Sequence, residues 1–126
     1  MSKIEEARIL LKELNVPHKQ QADLCCYAIL AMADIKESSN WSDAVNEWVR
    51  IHDILLFIRD NYNVTYAENS RETFRKQAMH HFRNAAFIED NGLATNSPNY
   101  RYRLTDEMLS LLRSYKGKDW KRELAD

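Results

Sequence analysis

The sequence is poor in the residues that make tight turns and covalent cross-links. It has two glycines and two prolines in 126 residues. These are too few for the many turns of an all-β fold, so helix is expected to dominate. Its two cysteines, Cys25 and Cys26, are neighbours in an apolar segment. A disulfide between adjacent residues is strained and no Cys-x-x-Cys pair offers a zinc site, so we interpret both as reduced core thiols.

Long hydrophobic runs are missing as well. No apolar run approaches the roughly 20 residues that span a membrane. The N-terminus is acidic and amphipathic and lacks the apolar stretch of a signal peptide. We therefore expect a soluble, cytoplasmic protein with no membrane partner. With 44% hydrophobic and 29% charged residues, the composition is typical of one globular domain, here over residues 1–126.

An overall excess of positive charge is also absent, since the formal net charge is −1. This argues against a polycation that binds nucleic acid over its whole surface. The charges are unevenly distributed, because residues 1–69 hold 7 Lys/Arg and 11 Asp/Glu whereas residues 70–126 hold 11 and 8. An acidic half joined to a basic half predicts that one face meets a polyanion.

Hydrophobic periodicity predicts helices through most of the first half of the chain. The predicted segments are a helix capped by Ser2 that runs to about Leu14, a buried central helix at about 20–35, a short helix capped by Ser42 that carries Ala44, Val45 and Trp48, and an amphipathic helix at about 51–61. Trp41 is expected to be buried beneath a polar loop, and Val64–Tyr66 to form a short extended stretch.

The next predicted helix, at about 70–86, has Ser70 as its expected cap. On a wheel of about 100° per residue its apolar and polar residues separate onto opposite sides. The apolar side consists of Phe74, Ala78, Phe82 and Ala85, and the polar side of Thr73, Lys76, Gln77, His80, Arg83 and Asn84. Arg75 falls at the edge of the apolar side, so supporting neighbouring structure is an alternative to contacting DNA.

A hairpin is predicted directly after this helix. Residues 86–89 are β-prone, residues 90–99 are rich in turn formers, and Tyr100–Leu104 alternates apolar and basic residues. These segments predict a wing at about 87–104, followed by a C-terminal helix at about 105–116 capped by Thr105; a further helix is expected to begin within Trp120–Asp126. The element order predicts a mainly α fold with a small β-hairpin, a winged helix-turn-helix.

In a winged helix-turn-helix, the last helix before the wing lies in the major groove. Ser70 and Arg71, at the tip of that helix, suit a phosphate, and Arg71 can also reach a guanine edge. Gln77 can pair with adenine, and Lys76 and Arg83 can bind guanine or phosphate. The predicted DNA-binding set is Ser70, Arg71, Thr73, Arg75, Lys76, Gln77, His80 and Arg83 on the helix, with Asn96, Ser97, Asn99, Arg101 and Arg103 in the wing.

The sequence offers no catalytic or metal-binding motif. His80 and His81 are adjacent and point in different directions, so they cannot chelate one metal as an i, i+4 pair can. There is no Gly-rich phosphate loop, no Ser-His-Asp arrangement with supporting context and no H-E-x-x-H. We therefore predict no catalytic residues, no metal site and no cofactor in this chain.

Several blocks in family order resemble the N-terminal helix-turn-helix domain of the BsuBI/PstI family of type II restriction endonucleases. They are residues 7–11, 17–21, 41–44, 57–62, 69–77 (Asn-Ser-Arg-Glu-Thr-Phe-Arg-Lys-Gln), 95–99, 102–105 and 111–115. The ordered set spans nearly the whole chain, although no single block is decisive. The resemblance implies double-stranded DNA as a partner, in a bacterial restriction–modification system.

In that family the domain precedes a nuclease domain that cleaves DNA with magnesium at a carboxylate–lysine site. The resemblance therefore implies a nuclease domain as a second partner and magnesium as the cofactor of that domain, while no residue of the present sequence matches its motif.

Two other functions remain open from the sequence. The net charge of −1 and the content of 6 Tyr, 4 Phe and 3 Trp also suit a winged helix used for homodimerisation or for docking on a nuclease domain. A free-standing transcriptional regulator fits the predicted fold but not the family blocks.

Overall fold

The computed structural model describes residues 1–117 and Trp120. Its helices are α1 (Lys3–Glu13), α2 (Asp23–Ala33), α3 (Ile51–Tyr62), α4 (71–84) and α5 (Asp106–Ser114), and its strands are β1 (Ile88–Asp90) and β2 (Tyr102–Leu104). Three 3₁₀ turns connect them, at His18–Gln21, Trp41–Asp43 and Glu68–Ser70. Of the helix expected within Trp120–Asp126, residues 121–126 lie outside the described part of the chain.

Helices α1 and α2 form as their sequences predict. The Ser2 side chain accepts a hydrogen bond from the Glu5 backbone N–H and caps α1, whose acidic first turn suits the helix dipole. Most of α2 is buried, including Cys25 and Cys26, which are both free thiols. Burial raises the pKa of Cys25 to about 12 and that of Cys26 to about 11. Both cysteines are therefore protonated core residues.

The prediction of a short helix after Ser42 is wrong. Trp41 is buried as expected, but only a 3₁₀ turn forms at Trp41–Asp43. The chain then runs extended, and Val49 pairs with Tyr102 through two backbone hydrogen bonds of 2.8 Å. Asn46 holds the extended segment through its side-chain Nδ2, 2.9 Å from Asp106 Oδ1. Bonds to the wing thus replace the hydrogen bonds of a helical turn.

The predicted helix at 70–86 forms with different ends. Ser70 has helical backbone angles and makes no side-chain capping bond, so its predicted role as a cap is wrong. The preceding 3₁₀ turn leads into the helix instead. At the other end Ala86 turns left-handed (φ 61°) and the Phe87 N–H bonds the Phe82 carbonyl at 2.9 Å, which closes a Schellman motif and ends α4 at Asn84.

The interior of α4 contains a π-helical turn at Arg75–Met79, where the His80 N–H bonds the Arg75 carbonyl five residues back. The extra residue in this turn rotates the second half of the helix relative to a uniform wheel. Met79 is therefore fully buried, together with Phe74, Ala78 and Phe82. Ala85, which the wheel placed on the apolar side, lies beyond the helix end and is exposed.

The wing is a short antiparallel hairpin in which Ile88 pairs with Leu104, Glu89 with Arg103 and Asp90 with Tyr102. Each strand is shorter than predicted. Val49 pairs with Tyr102 on the free edge of β2, whereas Val64–Tyr66 is not part of a strand. The Thr105 side chain accepts from the Met108 N–H and caps α5 as predicted.

A buried core of aliphatic and aromatic residues joins the five helices to the hairpin. The mainly α fold with a two-stranded wing is confirmed as a winged helix-turn-helix. Within the described residues, none of the helices has the length and apolar character to cross a membrane.

Candidate nucleic-acid interface

One side of α4 faces away from the core, and we call it the open face. It consists of Thr73, Lys76, Gln77 and His80, which are all exposed. None of these side chains forms an ion pair with any residue that the structure describes. The His80 ring nitrogen Nε2 lies 3.3 Å from Asn84 Nδ2, one helical turn away. The donors and acceptors of the open face are therefore largely available to a ligand.

The rigid position of the open face comes from the buried side of the same helix. Phe74 packs edge-on against Tyr66 with ring centroids 5.0 Å apart. The thiol of Cys25 on α2 donates to the Gln77 backbone carbonyl at 3.3 Å, within the π-helical turn. This bond fixes the backbone of Gln77 while its side chain points outward.

At the start of α4, Arg71 belongs to a three-residue cluster. Its Nε donates to Glu68 Oε2 at 2.7 Å, and Glu68 Oε1 lies 2.8 Å from Nδ1 of His52 on α3. Desolvation acts to raise the pKa of Glu68, but the hydrogen bonds from His52 and Arg71 outweigh it and lower that pKa. Glu68 is therefore an ionised acceptor for Arg71, and Ser70 beside it is half-buried.

Arg75 is held by a different carboxylate. Its Nη1 donates to Glu72 Oε2 at 2.7 Å, an i, i+3 pair on the helix surface. Its Nε is buried and has no hydrogen-bond partner among the described residues. The bond to Glu72 fits the alternative role predicted from the sequence, in which Arg75 supports neighbouring structure. This role uses Nη1 but leaves the buried Nε donor without a partner.

Arg83 ties the end of α4 to the wing. Its Nη1 donates to Asp90 Oδ2 at 2.9 Å and to the Tyr100 hydroxyl at 3.2 Å, and that hydroxyl donates to the same Asp90 oxygen. The backbone N–H of Gly92, with further hydrogen bonds from Tyr100 and Arg83, lowers the pKa of Asp90 against the opposing effect of desolvation. This network connects α4 to β1 and to Tyr100 in the loop before β2.

The arginines of the wing are engaged within the wing. Arg103 Nε donates to Glu89 Oε2 at 2.7 Å across the strand pair, and its guanidinium carbon lies 4.4 Å from the Trp48 ring centroid. Arg101 Nη1 donates to the backbone carbonyls of Pro98 and Tyr100. That Arg83, Arg101 and Arg103 contact DNA stays a prediction. Each of these arginines would have to give up a bond within the protein to bind DNA.

The loop of the wing carries the remaining predicted contacts. Asn96 and Asn99 are exposed and Ser97 is half-buried. The Ser97 hydroxyl accepts from the Asn99 backbone N–H at 3.1 Å, so its own proton remains free to donate.

A cleft lies between the start of α3, α4 and the wing loop. Its volume is about 400 Å³, and it brings together side chains that are far apart in the sequence. The lining residues are Arg50, Ile51, His52, Arg71, Arg75, Thr95, Ser97, Pro98, Tyr100 and Tyr102. Three arginines and one histidine line the cleft and no carboxylate does, within the residues that the structure describes.

Sequence reasoning missed this cleft and four of its polar residues, Arg50, His52, Thr95 and Tyr100. It also missed the acids that hold the cleft arginines. The i, i+3 spacings of Glu68 to Arg71 and of Glu72 to Arg75 were the available signal. The described residues bring together no group of three His, Cys, Asp or Glu side chains that could hold a metal ion, so no step through magnesium is assigned to them.

The model of the BsuBI/PstI restriction endonuclease HTH domain matches residues 1–126. The chain belongs to this family. It is 35% identical over 128 residues to the type II restriction enzyme BsuBI of Bacillus subtilis, a match that covers 98% of this chain and 40% of that protein. It is 30% identical over 118 residues to the type II restriction enzyme AplI of Arthrospira platensis, covering 91% and 36%.

The solved structure of the SdaI restriction endonuclease superposes with a TM-score of 0.92 at 27% identity, over 98% of this chain and 40% of that one. The sequence-based assignment to this family is therefore confirmed. The chain spans about 40% or less of the length of each of these three relatives.

Proposed function

We propose that this chain binds double-stranded DNA sequence-specifically, with the open face of α4 in the major groove and the wing on the adjacent backbone. The observation that carries the proposal is the open face itself, in which four polar side chains project from a rigidly packed helix. A helix in this position of a winged fold is the element that enters the major groove. Membership in a family of restriction-endonuclease HTH domains supports the same role.

The open face suits direct recognition of base edges. The Gln77 amide can donate to N7 and accept from N6 of one adenine, and Lys76 can donate to guanine O6 and N7 or to a phosphate. Thr73 and His80 offer further donors and acceptors at the same surface. Specific recognition is expected from Gln77, whereas much of the affinity is expected from the basic residues.

The parent protein is proposed to be a type II site-specific deoxyribonuclease that acts in the cytoplasm. Its nuclease domain would dock beside this one and cut DNA with magnesium. The present residues would contribute target binding, not bond cleavage. Formation of a homodimer stays a prediction, which sedimentation of the free protein and of its DNA complex would test.

The proposal is tested by selecting bound sequences from a random duplex library with the 126-residue chain, then measuring affinity by fluorescence anisotropy. We expect Gln77→Ala to relax the preference at one adenine by about 1–3 kcal/mol. Lys76→Ala is expected to weaken binding more evenly across sequences and to make the salt slope less negative by about 1 if its partner is a phosphate.

Lys12→Ala serves as the matched control, because Lys12 is an exposed lysine in the last turn of α1. It should bind as the unmodified chain does. Selection of no sequence motif, together with equal affinities for the Lys76→Ala/Gln77→Ala double variant and the unmodified chain, would contradict the proposed function.

A further inference from the structure

The cleft between α3, α4 and the wing has the features of an anion site. We propose that it holds one backbone phosphate of the bound DNA, with Arg75 and Arg71 as donors, and that Glu72 and Glu68 occupy these arginines until the phosphate replaces them. The inference rests on the proposed function. It adds a phosphate-binding site and the replacement of two carboxylates by the phosphate.

Arg75 has donors that its carboxylate partner does not use. A guanidinium carries five N–H groups, and Arg75 directs one nitrogen, Nη1, to Glu72. Its Nε is buried without a hydrogen-bond partner in the described part of the chain. A buried donor that lacks an acceptor is destabilising. When the guanidinium leaves Glu72 for a phosphate in the cleft, Nε can turn out of its buried position and donate, and the planar fork of arginine matches phosphate geometry.

The charge of the cleft lining also suits an anion. Arg50, Arg71 and Arg75 line the cleft without any carboxylate among its described residues. Each arginine pairs with an acid outside the lining, Arg50 with Asp53, Arg71 with Glu68 and Arg75 with Glu72. The side chains of Glu68 and Glu72 are more than half exposed. Ion pairs at such exposed positions contribute little to stability, so a phosphate can displace these carboxylates.

The size and position of the cleft also suit a phosphate of the DNA backbone. About 400 Å³ is enough for a phosphodiester group and the adjoining part of a sugar. The free Ser97 hydroxyl proton and Thr95 bring donors from the wing, whereas Arg75 brings its donors from α4. One phosphate in this cleft would therefore bind the helix and the wing together.

The test measures the affinity of the 126-residue chain for a duplex at several salt concentrations. Arg75→Gln removes the central donor and should make the slope of log affinity against log salt less negative by about 0.9. Affinity should fall roughly tenfold. Arg59→Gln is the matched control, because Arg59 also pairs with a carboxylate, Asp60, but lies at the far end of α3. It should keep the slope of the unmodified chain.

If the acids compete with the phosphate, removing their charge should strengthen DNA binding. Glu72→Gln and Glu68→Gln should each tighten binding about two- to fivefold. Asp60→Asn removes the same charge from an arginine pair elsewhere and should tighten binding less. This arm does not depend on how well Arg75→Gln folds.

NMR can locate the phosphate directly. The Nε–H signal of Arg75 should shift when duplex is added, whereas that of Arg59 should not. Inorganic phosphate, added against chloride at equal ionic strength, shows whether the free ion is enough. A change with inorganic phosphate alone, with the DNA affinity and salt slope of Arg75→Gln unaltered, would overturn the assignment to the DNA backbone.

The inference and the proposed function fail separately. An unchanged salt slope for Arg75→Gln, or Glu72→Gln that binds no tighter than Asp60→Asn, overturns the phosphate site. If Lys76→Ala/Gln77→Ala still loses affinity in that case, DNA binding by the open face stands. If it does not lose affinity, the proposed function fails as well.

Discussion

The open face of α4 and the wing are both polar surfaces next to each other, but their side chains are in opposite states. Thr73, Lys76 and Gln77 make no ion pair within the described residues and project from a helix fixed by its buried side. Around the wing, Arg83 at the end of α4 and Arg101 and Arg103 in the wing itself all bond to groups of the protein. A count of basic residues treats the two surfaces alike, whereas their contacts separate them.

The difference teaches that charge alone does not identify a recognition surface. An arginine whose accessible donors already bond to the protein must exchange those bonds when it binds DNA, so its net contribution is small. Arg75 differs, because its Nε has no partner in the described part of the chain. A lysine or glutamine that is bound only to water has its whole interaction to gain. The wing arginines are thus expected to contribute mainly to stability, and the open face mainly to binding.

The largest effect on stability is expected at Arg83. Arg83→Ala leaves Asp90 and the Tyr100 hydroxyl without the partner that joins them to α4. The side chains of Arg83 and Asp90 are 40% and 22% exposed, so solvent screens the loss. We expect about 1–2 kcal/mol less free energy of unfolding, measured by urea denaturation followed by circular dichroism.

Lys76→Ala is the matched control on the same helix. It should change the free energy of unfolding by no more than about 0.5 kcal/mol while it weakens DNA binding. If Arg83→Ala leaves stability intact and lowers DNA affinity more than Lys76→Ala does, the proposed difference between the two surfaces is wrong. Arg83 would then be a DNA contact, as the sequence predicts.

A smaller effect, visible in acid, is expected at Asp90. The pKa of this carboxyl is lowered from its ordinary value of 3.8, first by the Gly92 backbone N–H and then by Tyr100 and Arg83. A lowered pKa in the folded state stabilises the protein fully above the unfolded value, and this contribution is lost as pH falls through the folded value. Stability should therefore fall with pH from about 4 downward.

The control for this acid dependence is Asp90→Asn, which cannot ionise at position 90. Other carboxylates with lowered pKa values, such as Asp53 and Glu68, are present in both proteins and cancel in the comparison. The unmodified chain should lose more free energy of unfolding than Asp90→Asn between about pH 5 and pH 2. Parallel pH profiles would show that the network around Asp90 does not hold the wing.

Much of the fold could be predicted because it depends on local patterns. Ser2 and Thr105 cap helices where a small hydroxyl residue precedes an apolar stripe, and the structure has both capping bonds. The segment around Val49 was not predictable in this way. Its strand pairing depends on Tyr102, far along the chain, and no periodicity within the segment reports such a partner.

The candidate site was predictable to a similar, partial extent. The polar side of α4 is exposed as the wheel predicts, both before the π-helical turn and after it. The burial of Met79 and the exposure of Ala85 were missed, since a wheel with constant rotation cannot contain a π-helical turn. The cleft was missed because its lining comes from three separate segments.

The smallest effect on stability is expected at Arg103. Its substitution tests whether this arginine has a structural role or contacts DNA. Arg103→Gln removes the pair with Glu89 and the cation–π contact with Trp48, whose ring is 42% exposed. We expect the free energy of unfolding to fall by about 0.5–1 kcal/mol. A double-mutant cycle with Trp48→Leu should assign part of this loss to the Arg103–Trp48 pair.

The salt dependence of DNA binding by Arg103→Gln then shows whether Arg103 contacts a DNA phosphate. An arginine that remains over Trp48 and bonded to Glu89 in the complex releases no counterion from DNA, so the slope should match that of the unmodified chain. A slope less negative by about 0.9 would instead mean that Arg103 leaves Glu89 for a phosphate. In that case the wing contributes to binding through residues that are paired in the free protein, and the contrast with the open face describes only the unbound state.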